Sequence, residues 1–353
     1  MYKAIRYIGS KQKVLPFLEE HLFSKLTSGD SFFDGFLGTG IVSQYIAETK
    51  NNINVSGGDI SLYSEVLFKI MNIGSLFKRE EIVDLIKKFE LENLVAGNIF
   101  NEFSNKGTPC SFTESRNFYH EKSGKIIDTF KLFLGKELKN QNISSQQAEI
   151  LLFFILAYAC KAGNTTSVFG AYLKSPAKYI EFNVKFVENI LNELSIFLIN
   201  KNQFDFYLGS IVDNLKLIPK QKIIYLDPPY STRRYETNYH ILNFVVDFEF
   251  NPKNLKENSK TGQPKGIVNN PFGSKKETEI IFAEMIREGV NKSDFLGISY
   301  NTDGVITQKW IEKFCIDNNY KLETKKMSYK RFKSKVEVKN ETNLEEILWI
   351  ITK

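Results

Sequence analysis

Ser31-Phe32-Phe33-Asp34-Gly35-Phe36-Leu37-Gly38-Thr39-Gly40 is the stretch that decides how the chain is read. Its first four residues read as a short strand, and the glycines that follow break it. A helical pattern then runs from Ile41 to about Thr49, and a second strand, Ile53 to Ser56, leads into Gly57-Gly58-Asp59. Strand, glycine loop, helix, strand and acid, in that order, form the nucleotide-binding half of a doubly wound sheet. Glycine at 38 and 40 lets the backbone turn tightly and approach a ligand where a Cβ would collide. The first turn of the next helix offers unpaired N–H groups to a polar group. Asp59 lies 19 residues past Gly40, where an acid can accept both hydroxyls of a ribose.

The same loop narrows the ligand. A dinucleotide fingerprint would place a third glycine at 43, which is Ser43, and no Gly-Lys-Ser/Thr closes a phosphate loop. Asp34 sets a carboxylate where a pyrophosphate would be repelled and an ammonium would be held. A nucleoside carrying a cation suits these residues, and S-adenosyl-L-methionine is such a ligand.

Outward from the loop, Val14, Leu15, Phe17, Leu18, Leu22 and Phe23 recur at helical spacing. Residues 62–200 are dominated by helical periodicity, including Ile126 to Leu138 and the longest apolar run, Ile150 to Cys160. Strand patterns return at Phe204 to Leu208, Lys222 to Leu226, Phe295 to Tyr300 and Ile347 to Ile351. The expected architecture is α/β, a doubly wound and mostly parallel sheet, with a helical insertion. Residues 1–61 and 201–353 form the catalytic domain, and residues 62–200 form the insertion.

Asp227-Pro228-Pro229-Tyr230 follows the most apolar strand of the second half. Two prolines end the ladder and stiffen the backbone, and their carbonyls remain acceptors. Asp227 adds a carboxylate and Tyr230 an aromatic face, at the sheet edge where ligands bind in open α/β folds. The lone pair of an aromatic exocyclic amine is delocalised, so the amine is a poor nucleophile. Two acceptors on its hydrogens, the Asp227 side chain and a proline carbonyl, favour pyramidalisation and offset the developing positive charge. A ring such as Tyr230 can stack on the base and hold it in line. A base in a duplex has to be extruded first.

Composition removes other classes. With 42% hydrophobic and 25% charged residues the chain is globular, and no stretch approaches a membrane span. Residues 1–6 lack a signal peptide's apolar stretch, so a cytoplasmic location is expected. Cys110, Cys160 and Cys315 lie far apart, and His21, His120 and His240 form no ligand-like pair, so no metal is expected. The net charge of +6 is mild, but its placement is local. Residues 251–276 hold six lysines and one acid, and 325–335 hold six Lys or Arg and no acid. Residues 161–180 hold three lysines and no acid. Basic loops of this kind suit the phosphates of a nucleic acid.

Taken together, these motifs resemble those of N6-adenine DNA methyltransferases of the Dam family, the alpha group found in type II restriction–modification systems. Arg6-Tyr7-Ile8-Gly9-Ser10-Lys11 is similar to the family's N-terminal cofactor motif, Asp34 to Gly40 to its glycine loop, and Asp227 to Tyr230 to its catalytic motif. Gly163 to Lys174 resembles part of the target-recognition insertion, Tyr230 to Asn243 the catalytic loop, and Ile298 to Gly304 a later core strand. The order, glycine loop then insertion then catalytic motif, is that of the alpha group. One departure is Gly209-Ser210, where some members carry an acid near the cofactor adenine.

The resemblance implies transfer of a methyl group from S-adenosyl-L-methionine to the N6 amine of an adenine flipped out of double-stranded DNA. Tyr7, Lys11, Asp34, Phe36, Gly38, Thr39, Gly40, Asp59 and Asp227 are then expected to bind the cofactor. Asp227, Pro228, Pro229 and Tyr230 form the catalytic group, and His240 is expected to be packed, not to act as a base. Arg233, Arg234, Lys161, Asn164, Lys174, Lys330 and Arg331 are expected at the DNA. A cognate restriction endonuclease, without direct contact, is the implied companion. The alternatives are a methyltransferase on RNA or a protein amide, and a catalytically silent, sequence-specific DNA binder. An oxidoreductase is more distant, given Ser43 and the Asp-Pro-Pro-Tyr element.

Overall fold

The computed structural model describes residues 11–73, 78–89, 93–166, 168–194, 203–230, 236–266, 272, 274–329 and 344–353. These fall into two compact units. One unit is built on the sheet and comprises the described residues of 11–60, 201–234 and 269–353. Helix α1 (Leu15–His21) leads into β1 (Ser31–Asp34), α2 (Ile41–Thr49) and β2 (Asn54–Asp59). After the helical unit come β3 (Gln203–Leu208), α9 (Ile211–Leu217) and β4 (Gln221–Leu226), then α11 (Lys275–Lys292), β5 (Ser293–Asn301), α12 (Gln308–Asp317), β6 (Lys321–Tyr329) and β7 (Leu344–Thr352).

The sheet has the order β3-β2-β1-β4-β5-β7-β6. Strands β1 to β5 pair in parallel, while β7 runs antiparallel to both β5 and β6. The chain moves outward from β1 through β2 to β3, then restarts at β4 on the other side of β1. That reversal is the topological switch point, and it opens a crevice at the carboxyl ends of β1 and β4. Ile223, Ile224, Tyr225 and Leu226 are all buried, as expected of a parallel strand covered on both faces. Phe33, Leu226, Ile298 and Trp349 pack with Leu215 of α9 and Phe282, Met285 and Ile286 of α11 in one core. Gly297 lies where an added Cβ would collide with the Leu22 side chain, so the segment after α1 packs tightly on β5.

The second unit is helical and gathers the described residues of 61–200 with 236–266. It contains α3 (Leu62–Ile73), α4 (Arg79–Lys87), α5 (Asn98–Phe103), α6 (Glu121–Lys139), α7 (Ser145–Ala162), α8 (Val184–Leu194) and α10 (Glu236–Val246). Helix α7 is apolar on all sides and therefore central, with Ile150, Leu151 and every residue from Phe153 to Ala159 buried. Its start is fixed by a capping box. The Ser144 hydroxyl accepts from the Gln147 amide at 3.1 Å, and the Gln147 side chain accepts from the Ser144 amide at 2.8 Å.

The sequence pattern places all of 201–353 with the sheet, while by its contacts α10, with the described residues after it to 266, groups with the helical unit. Packing gives the reason. Phe244 and Phe250 stack on Phe103 with ring centroids 5.9 and 6.2 Å away, and His240 lies edge-on to the same ring. Arg116 further ties the loop down, donating to the Ser259 carbonyl at 2.9 Å. A second difference is β6, whose Lys325 and Lys326 were read as part of a basic loop. They sit on an edge strand and pair with Glu323 at 2.8 Å and Glu345 at 3.1 Å. Charged residues on an edge strand discourage further strand pairing.

Candidate active site

The site at the switch point is built from strand ends. Asp34 is the last residue of β1, Asp59 the last of β2, and Asp227 follows β4 directly. The loop between β1 and α2 is held from both sides. Gly35 N–H donates to the Tyr225 carbonyl at 2.9 Å, and Leu37 N–H donates to the Gly58 carbonyl at 3.1 Å. Gly38 has φ +54° and its N–H donates to Asp59 Oδ2 at 2.8 Å. Gly40, with φ +72°, is the N-cap of α2. Both glycines thus occupy the left-handed region that a side chain disfavours. Phe36 stands half-buried, edge-on to Phe272 with centroids 6.0 Å apart, and Thr39 is partly exposed at the loop tip.

Asp34 is buried, and its Oδ2 accepts from the Ser43 hydroxyl at 3.0 Å. Ser43 is the residue that stands where a dinucleotide fingerprint would have its third glycine. Burial, followed by the charges of Asp227 and Asp59, raises the Asp34 carboxyl from 3.8 to about 7. Asp34 therefore senses the other two strand-end carboxylates, and a positive charge beside it would be favoured.

Beside them lies a second cluster. Lys11 is almost fully buried, and its Nζ lies 3.0 Å from Asp227 Oδ1 and 2.6 Å from Glu346 Oε1. The same ammonium donates to the Tyr230 hydroxyl and sits 4.7 Å from that ring's centroid. Tyr230 Oη donates towards Asp227 Oδ1 at 2.8 Å and lies 3.1 Å from Glu346 Oε1. Burial alone would lower the Lys11 pKa, but the Asp227 and Glu346 charges outweigh it and raise it. Burial and the two carboxylates hold the Tyr230 phenol well above its ordinary value, so it stays a neutral donor. Its ring meets Tyr300 edge-on, centroids 5.1 Å apart. Pro228 is buried and Pro229 partly so, which fixes the backbone that carries both neighbours.

The structure thus brings Asp34, Gly38, Gly40 and Asp59 into one corner and Lys11, Asp227 and Tyr230 into another. Lys11, expected with Tyr7 at the cofactor, is bonded to the Asp227 and Tyr230 side chains. Tyr7, Arg233, Arg234, Lys330 and Arg331 lie outside the described residues. In the helical unit, Lys161 and Lys174 are exposed, with the Lys161 ammonium 5.5 Å above the Phe186 ring. Asn164 donates its amide to the carbonyls of Asn117, Leu173 and Ser175 at 3.0, 3.2 and 2.9 Å, and so shapes the loop that carries Lys174. His240 is buried between the Thr237 and Thr261 carbonyls at 2.9 and 2.7 Å.

Glu346 is the residue that sequence reading missed. It precedes an apolar run on β7, and an acid at the start of a strand reads as solvated. The available signal was that the strand is apolar on both alternating faces (Ile347, Trp349 and Ile351 against Leu348 and Ile350), so whichever face Glu346 takes is covered.

Among the described residues no cluster of His, Cys, Asp or Glu could hold a metal ion, and no helix is long and apolar enough to cross a membrane. Comparison with known proteins adds the following. The type II methyltransferase M.NlaIII of Neisseria lactamica is 28% identical, over 94% of this chain and 93% of its own. The type II methyltransferase M.CviAII of Paramecium bursaria Chlorella virus 1 is 26% identical, over 98% of each. The modification methylase StsI of Streptococcus sanguinis is 26% identical over 98% of this chain, which spans 52% of that protein. Residues 7–296 match the family model of D12 class N6 adenine-specific DNA methyltransferases. A match of that extent, on a chain whose Asp-Pro-Pro-Tyr element closes the central strand of a doubly wound sheet, means that this protein belongs to the D12 class N6 adenine-specific DNA methyltransferase family.

Proposed function

We propose that the crevice at the ends of β1, β2 and β4 binds S-adenosyl-L-methionine, and that Asp227 and the Pro228 carbonyl bind the amine of an adenine extruded from duplex DNA. The observation that carries this reading is the placement of Asp34, Asp59 and Asp227 at neighbouring strand ends around one crevice, where burial first, and then the charges of Asp227 and Asp59, raise the Asp34 carboxyl to about 7, so that a cationic ligand would relieve it. Asp34, the Phe36 to Gly40 loop and Asp59 would hold the cofactor, with Tyr7 from the N-terminal motif. Bound there, S-adenosyl-L-methionine supplies an electrophilic methyl group on a sulfonium.

The chain's own residues do the remaining work. Asp227 accepts one amine hydrogen and the Pro228 carbonyl the other, which localises the nitrogen lone pair and balances the positive charge that develops on it. Pro229 keeps the turn rigid. Tyr230, anchored through its hydroxyl, offers its ring to the extruded base. The helical unit is the target-recognition part, with Lys161 and Lys174 as phosphate contacts and Asn164 as the brace of the loop that carries Lys174. Arg233, Arg234, Lys330 and Arg331 are proposed as further DNA contacts. Since the relatives are type II modification methylases, we take the biological role to be protection of cytoplasmic DNA against a cognate endonuclease.

The test is incubation of unmethylated plasmid with S-adenosyl-L-methionine and either wild type or Asp227→Ala, followed by nucleoside mass spectrometry for N6-methyladenine. Methyladenine from wild type alone is the expected result. Methyl transfer by the variant would overturn the role of Asp227. Cofactor binding without any methyladenine would favour RNA as substrate or a silent DNA binder.

A further inference from the structure

Lys11 carries one positive charge and has two carboxylate partners, and the nearer one is not the strand-end aspartate. Its Nζ is 2.6 Å from Glu346 Oε1 and 3.0 Å from Asp227 Oδ1. Glu346 is buried, with about a tenth of its side chain accessible, and stands opposite Asn301 in the β5–β7 ladder. Its oxygen also lies 3.1 Å from the Tyr230 hydroxyl, which at the same time reaches Asp227 at 2.8 Å. The four side chains thus form a closed ring of contacts with an excess of one negative charge. Simple neutralisation of a buried lysine needs only one acid.

We propose that Glu346 is a positioning residue for methyl transfer. It takes the larger share of the Lys11 charge, so that Asp227 keeps its strength as an acceptor, and with Asp227 it pins the Tyr230 hydroxyl, so that the ring keeps one orientation. The inference rests on the reading of Asp227 and Tyr230 given above. If Glu346 were absent, the ammonium would pair with Asp227 alone, and the carboxylate that should receive an amine hydrogen would already be satisfied. The Tyr230 ring would lose one of its two carboxylate anchors. Both losses act through another residue, so they lower turnover more than binding.

The experiment compares wild type, Glu346→Gln and Glu346→Asp in the plasmid assay, with kcat and the KM values for DNA and for S-adenosyl-L-methionine measured across pH 5.5 to 8.5. Glu346→Gln keeps the size and one acceptor oxygen but removes the charge. The expected result is a fall in kcat of roughly tenfold at pH 8 with both KM values within about twofold, because an interaction felt mainly in the transition state is lost. Glu346→Asp retains the charge and should recover part of that loss. The groups facing Glu346 are Lys11, Asp227, Tyr230 and Tyr225, and burial raises its own pKa above the ordinary glutamate value. Acid therefore converts wild type towards the neutral state that Glu346→Gln mimics, and the gap between the two should narrow as pH falls.

An unchanged kcat in a folded Glu346→Gln protein would overturn the proposal. If Glu346→Gln does not fold, Glu346→Asp decides: a wild-type kcat with the carboxylate drawn back by one methylene would overturn the proposal, and a reduced kcat at unchanged KM would support it. Wild type that makes no methyladenine would instead overturn the reading on which the inference rests.

Discussion

Each unit of this protein buries an ion cluster, and the two are put together differently. In the helical unit Arg116 and Glu102 pair one to one at 2.7 Å, with 0% and 1% of their side chains exposed. Every other demand is met nearby. Arg116 donates to the Glu102 and Ser259 carbonyls and to the Ser111 hydroxyl, while the second Glu102 oxygen accepts from the Cys110 amide. In the sheet unit Lys11 faces two acids, and Asp227 keeps 21% of its side chain accessible. The first cluster is balanced and closed, and ties the loop around Ser259 to the segment after α5. The second carries surplus negative charge and opens towards a crevice. What differs is whether an acceptor is left for something else to bind.

The largest test of that contrast is Asp227→Ala, which should reduce methyl transfer by roughly 1,000-fold or more while the melting temperature stays near wild type. A large loss of stability with modest loss of activity would make the open cluster structural after all. Next, Arg116→Met strands the buried Glu102 carboxylate and should cost about 3–5 kcal/mol in denaturant unfolding. Adding Glu102→Leu should return part of it, because a lone buried charge costs more than an absent pair. Equal destabilisation by the single and double variants would refute the pairing.

Asp34 belongs with the open side of the comparison. Its folded pKa, about 7, lies above its ordinary 3.8, so its contribution to stability is complete at acid pH and is lost as pH rises through 7. Asp34→Asn should therefore stabilise the cofactor-free protein at pH 8 by about 4 kcal/mol, with no gain near pH 4, and should weaken cofactor binding by calorimetry. Equal melting of both proteins at pH 8 would remove the electrostatic strain from the crevice.

The smallest effect lies near the closed cluster. Burial holds His240 down at about 4, against the two carbonyls that favour its charged form, and the Arg116 charge lowers it further. The unfolded chain binds more protons between pH 4 and 6.5, so stability falls with acid in that window, by about 2 kcal/mol from pH 6.5 to 5. His240→Asn should flatten the slope. An identical slope in the variant would assign it to other groups.

Much of the sheet unit was legible because its signals are local. The strand, glycine loop and helix at 31–49 are contiguous, and Asp59 ends the very next strand. The placement of 236–266 was not, since α10 joins the helical unit through rings at Phe103, Phe244 and Phe250 that no local period connects. Lys325 and Lys326 misled for another reason: basic composition suits both a phosphate-tracking loop and a charged edge strand. Lys11 was found as a motif residue, but its partners come from strand ends more than 200 residues away. Glu346 went unseen because its role depends on which strands flank β7, and strand order is a long-range property.

That strand order has a consequence for how the protein could be taken apart. Strand β7 is a wedge: β5 and β6 are both its neighbours and not each other's. Withholding residues 344–353 would leave β6 without a partner, β5 paired on its β4 side alone, and the ring around Lys11 without its nearest acid. Insertion of β7 thus completes both that edge of the sheet and the charge cluster. A synthetic peptide of those ten residues, added to a chain ending before them, would act as a chemical switch, with enzyme output reporting on strand insertion.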